Sequence, residues 1–90
     1  MKNIDDLKTF LIDNFPDDKI YLFGSRAKNK ASIYSDIDIA IESQQNIKTK
    51  LSHVKHLIEE SNLVQKVDFV NLVKAPYLQE IVKNEGIQWH

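Results

Sequence analysis

Residues 34–41 read YSDIDIAI, and the alternation in this stretch decides the fold. Residues two apart on a strand share a face, so Ile37, Ile39 and Ile41 point one way while Asp36 and Asp38 point the other. The pattern predicts a strand over residues 36–42 with its isoleucine face in a core. Its other face carries two like charges, on a residue type that strands avoid. Either that face lies at an edge in water, or something compensates the charge.

Upstream, Ile4, Leu7, Phe10, Leu11 and Phe15 recur at helical spacing until Pro16, Asp17 and Asp18 close the pattern, which predicts an amphipathic helix over residues 4–15. Residues 19–23, KIYLF, read as a buried strand entering a tight turn at Gly24, with Ser25 placed to cap a short helical turn. The polar, aperiodic residues 29–35 read as a loop leading to the next strand. Downstream, Ile47, Leu51, Val54 and Ile58 mark one face of a second helix, with Leu57 at its border and Asn62 as its stop. Residues 66–73, KVDFVNLV, form a third, almost continuously apolar strand. Pro76 opens a third helix carrying Leu78, Ile81 and Val82, Gly86 ends it, and the closing IQWH suits a short edge strand.

This order of elements predicts one α/β (α+β) domain over residues 1–90, a small sheet with helices packed on it. The sheet is expected to be mixed, because the second strand follows the first without a crossover helix.

Composition narrows the function classes. With 90 residues, 42% of them hydrophobic and 28% charged, the chain suits one compact globular domain rather than a disordered or membrane-embedded one. Twelve basic residues against thirteen acidic ones leave a net charge of -1, so nothing draws the chain generally to nucleic acid or to an anionic membrane. Phosphate binding, if present, is local. The absence of cysteine removes disulfides and thiolate metal sites. The first ten residues carry two Asp where a signal peptide would be apolar, and no run approaches a membrane span, so a cytoplasmic location is expected.

The carboxylates suggest a metal. Asp36 and Asp38 can converge on the open face of a strand, and magnesium, which takes oxygen ligands, is commonly held by one or two carboxylates together with water and substrate phosphates. Asp68 interrupts an apolar strand, where a carboxylate is costly unless paired, either with a metal shared with Asp36 and Asp38 or with a nearby Lys or backbone amide. Gly24 and Ser25 lie where a strand turns into a helix start, a place where backbone N–H groups can hold a phosphate; the plainer reading is a turn glycine and a cap. Arg26, Lys28 and Lys30 can neutralise a triphosphate, or simply be solvated. His53 and His56 form an HxxH on the polar side of the second helix with no carboxylate in register, which argues against zinc. Trp89 reads as packing or partner surface.

Taken together, Gly24 and Ser25, ten intervening residues, Asp36, one residue and Asp38 resemble the signature of the DNA polymerase beta type nucleotidyltransferase superfamily. The flanks LFGSRAK and SDIDIAI, with VDFVNL and NEGIQWH later, resemble its minimal nucleotidyltransferases over nearly the whole chain. The resemblance implies that Gly24, Ser25 and Arg26 bind the nucleotide, that Asp36, Asp38 and Asp68 hold magnesium, with two ions engaged during catalysis, and that Asp68 takes the proton of the attacking hydroxyl. It implies transfer of AMP from ATP to a tyrosine of a helical HEPN-domain ribonuclease toxin, with this protein as antitoxin and no direct contact with nucleic acid. Two other readings stay open: an antitoxin that only occludes its partner, and nucleotidyl transfer to a small molecule. Where relatives commonly carry glycine this chain has Asn29, a residue that also tolerates a left-handed backbone.

Overall fold

A computed structural model describes residues 1–28 and 35–90. Asn29, Lys30 and Tyr34, which figure in the sequence reading, lie outside the described residues. Helix α1 (Ile4–Asn14) leads into strand β1 (Lys19–Phe23) and a 3-10 turn (Gly24–Arg26). Strand β2 (Ile37–Glu42), helix α2 (Lys48–Glu59), strand β3 (Val67–Asn71), a second 3-10 turn (Leu72–Lys74), helix α3 (Pro76–Glu85) and strand β4 (Ile87–Gln88) follow. The strands form one mixed sheet in the order β3-β2-β1-β4, with β2 and β3 parallel and β1 antiparallel to both β2 and β4. The predicted α/β architecture and mixed sheet are observed. Among the described residues no helix is long and apolar enough to cross a membrane.

Local chemistry explains the elements. The Asn3 side chain accepts from the Asp6 N–H and the Asp6 carboxylate accepts from the Lys2 N–H, both at 2.9 Å, which satisfies amides at the start of α1. Alternation then sorts each strand between two cores. Ile20 and Leu22 of β1, Ile37, Ile39 and Ile41 of β2 and Val67 of β3 pack with Leu7, Leu11 and Phe15 on one side and with Val54 and Ile58 of α2. On the other side, Tyr21, Ala40 and Val70 meet Leu78 and Val82 of α3. Ala40 is fully buried in this second core, with Tyr21, Leu72 and Val82.

Several expectations are corrected. Strand β2 starts at Ile37, whose N–H donates to the Lys66 carbonyl at 2.8 Å, so Asp36 precedes the ladder and is exposed. Strand β3 ends at Asn71, because the Asn71 side chain accepts from the Val73 N–H at 3.2 Å and turns the chain into a 3-10 turn. Only Val67 in β3 is fully buried, since the strand is an edge of the sheet; Asp68 is therefore not deeply enclosed. Ser25 caps nothing, for the cap position of the turn is Phe23 and no side chain bonds there. Helix α2 stops at Glu59, before Asn62, and Ile81 on the third helix is half exposed.

Trp89 packs against the larger core, its N–H donating to the Ile20 carbonyl at 2.7 Å. Gly86, which ends α3, is required by close approach: a Cβ there would lie 2.4 Å from the Val82 carbonyl oxygen and 3.0 Å from that of Leu22. Gly86→Ala is expected to destabilise the fold by about 1–3 kcal/mol, the usual cost of overpacking, measured as a lowered urea midpoint at unchanged slope.

Candidate active site

The strand register gathers the carboxylates. Phe23 of β1 pairs with Asp38 of β2, and Asp38 pairs with Asp68 of β3, so the three residues form one row across the sheet. The neighbouring row on the same face is Tyr21, Ala40 and Val70, which α3 covers. Asp38 is half-buried and the Asp68 side chain is 43% exposed, so the acidic row borders the helix-covered core and opens to solvent. Asp36 comes two residues before Asp38, at the same end of β2.

Electrostatics show that these groups sense one another. Burial pushes the Asp38 carboxyl above the ordinary aspartate range, and the negative charges of Asp68 and then Asp36 push it further the same way. Lys66 Nζ lies 3.7 Å from the Asp68 carboxylate, but both side chains are well exposed and screening leaves that pair weak. Among the described residues no three His, Cys, Asp or Glu side chains are drawn into a metal-holding arrangement. Asp36, Asp38 and Asp68 thus share one end of the sheet without converging, as unscreened like charges should. Their oxygen donors suit a hard dication such as magnesium.

Gly24 follows Phe23 at the end of β1 and lies against the Asp38 side chain. Its φ of 76° is in the left-handed region, and an added Cβ would sit 2.5 Å from Asp38 Oδ2. The site therefore needs glycine twice over, for its backbone and for the space taken by the carboxylate. Ser25 follows, exposed, inside the 3-10 turn, and the Gly24 carbonyl accepts from the Ala27 and Lys28 N–H groups. Arg26 donates from Nε and Nη2 to the Ser35 carbonyl at 3.3 and 3.0 Å. Lys28 lies 3.4 Å from Glu85 at the end of α3.

The structure thus sets Gly24 and Asp68 beside Asp38, with Asp36 two residues away at the same end of β2 and Ser25 and Arg26 in the turn that starts at Gly24. His53 and His56 lie elsewhere, exposed on α2, with His56 Nε2 3.1 Å from Glu60. Sequence reasoning missed Phe23, the aromatic neighbour of Asp38 in the row, because cross-strand register depends on pairing that one strand does not reveal. The LFGS run carries a signal for it, since a residue just before a tight turn lies beside whatever that turn approaches.

Comparison with known proteins identifies a family. A family model described as "Polymerase beta, Nucleotidyltransferase" matches residues 5–88. Over 66 residues the chain is 38% identical to the "Probable protein adenylyltransferase MntA" of Haemophilus influenzae (strain ATCC 51907 / DSM 11121 / KW20 / Rd), an alignment that covers 72% of this chain. The chain spans 58% of that relative's length.

Proposed function

Because the chain belongs to the polymerase beta nucleotidyltransferase family, we propose that it is a magnesium-dependent protein adenylyltransferase, acting in the cytoplasm as the antitoxin of a HEPN-domain ribonuclease toxin. The observation that carries this reading is the Asp38–Asp68 pairing across β2 and β3, set over the left-handed Gly24. In the proposed reaction the acceptor tyrosine oxygen bonds to the α-phosphorus of ATP. The bond from that phosphorus to the bridging oxygen breaks, and pyrophosphate leaves with the electron pair. Magnesium held by Asp36, Asp38 and Asp68 would stabilise charge on the attacking and leaving oxygens.

The chain's own residues supply position. Gly24 gives the turn its left-handed backbone, and beside it the exposed Ser25 hydroxyl can donate to a phosphate oxygen. In this reading Asp68 accepts the proton of the attacking hydroxyl, a role that its exposure to solvent at the edge strand supports.

The test is direct. Incubated with magnesium, ATP and its co-encoded helical partner, the wild type should add an adenylyl mass to a tyrosine peptide of that partner. Asp68→Asn should slow the transfer by about 100-fold or more, the usual worth of a positioned base. No mass increment, with neutralisation surviving Asp36→Ala plus Asp38→Ala, would replace this reading with simple occlusion of the partner.

A further inference from the structure

We propose that Arg26 is a positioning residue that fixes Asp36 by clamping the peptide unit in front of it. Asp36 lies outside β2 and is exposed, so the sheet alone does not hold it. Its two flanks are nevertheless anchored. On one side the Ile37 N–H donates to the Lys66 carbonyl at 2.8 Å. On the other, Arg26 Nε and Nη2 both donate to the Ser35 carbonyl, at 3.3 and 3.0 Å. That carbonyl belongs to the peptide unit whose N–H is that of Asp36, so the guanidinium and the β3 entry together set where the Asp36 carboxylate can reach.

The chemistry favours arginine for this task. Two donors in a fixed planar fork define the direction of the accepting carbonyl as well as its distance, which a lysine ammonium does not. Arg26 sits in the turn that starts at Gly24, and Gly24 lies against Asp38. One turn therefore sets both acids, contacting Asp38 through a glycine and holding the approach to Asp36 through an arginine. The rival reading gives Arg26 to the substrate phosphates, and the two differ in what they do to metal binding without nucleotide.

The inference rests on the nucleotidyl-transfer reading for its metal readout and stands apart from it for its structural one. Wild type, Arg26→Ala and Arg26→Lys are compared by amide NMR of the metal-free protein, by Mn2+ titration without nucleotide and by steady-state kinetics. Arg26→Ala should shift the Asp36 and Ile37 amides. It should weaken Mn2+ binding by about tenfold or more, as loss of a group that orients a metal ligand does. The KM for ATP should stay unchanged while kcat falls. Arg26→Lys, which keeps the charge and loses the fork, should follow Arg26→Ala. An unmoved Asp36 amide, or a raised KM for ATP with Mn2+ affinity intact, overturns the clamp and returns Arg26 to phosphate binding. If the wild type transfers no nucleotide or holds no Mn2+, the proposed function falls, and the Asp36 amide alone decides the clamp.

Discussion

Asp38→Asn is expected to lower nucleotidyl transfer by about 1,000-fold or more while leaving the metal-free protein at least as stable as the wild type. The two effects have one cause. Asp38 stands in the middle of the acidic row, between Phe23 and Asp68, where burial first and then the charges of Asp68 and Asp36 disfavour its ionised form. A carboxyl whose pKa is raised in the folded state binds more protons there than in the unfolded chain. Stability therefore falls as pH rises through the interval from the ordinary aspartate value to the raised one, and the penalty is complete above it. Asn cannot ionise and removes that penalty, but it also removes a charged oxygen donor. Urea denaturation in chelator, from about pH 4 to 7, should show a flatter profile for Asp38→Asn than for wild type. A variant that is inactive and also less stable at neutral pH would mean that Asp38 is there for folding. Asp36→Asn should lose activity likewise with a smaller effect on stability, because Asp36 is exposed and outside the ladder.

Alternation placed Asp38 correctly because it is a local property: Ile37, Ile39 and Ile41 must share a face, and Asp38 must oppose them, whereas Asp36 falls just before the strand. Residues 19–23 read as a strand for a similar reason, with an aromatic run ended by the glycine that turns the chain. What the chain did not disclose was neighbourhood. Residues 66–73 look like a central strand because apolar content alone does not distinguish a strand flanked on both sides from an edge strand half covered by helices. The burial argument for Asp68 was therefore mistaken, and what brings it beside Asp38 is the parallel register of β2 and β3. Ser25 misled in another way. A serine after a strand suggests a cap, but here the left-handed Gly24 starts the turn and leaves the hydroxyl outside it. Ile81 fits the helical spacing of α3 and is still half exposed, since α3 has a sheet on one side only.

Gly24→Ala tests how tightly the turn and the acidic row are joined, and it should cost most in chemistry. Two penalties meet at this position. The left-handed backbone costs a residue with a Cβ about 1–2 kcal/mol, whatever surrounds it. The new Cβ would also lie 2.5 Å from Asp38 Oδ2, although Asp38 Cβ would remain at an ordinary 3.5 Å. Something must yield, and the end of an aspartate side chain turns more easily than a strand or a turn moves. The steric part should therefore appear as a displaced carboxylate rather than as lost folding energy. Denaturation should show about 1–2 kcal/mol of destabilisation for Gly24→Ala both alone and combined with Asp38→Ala, the near-additivity marking a backbone effect. Transfer by Gly24→Ala should fall by about 100-fold or more, because the Asp38 oxygen is driven from its place in the row. Near-normal activity in a destabilised Gly24→Ala protein would show that Asp38 can work from another rotamer, and that the contact between turn and carboxylate is incidental to transfer.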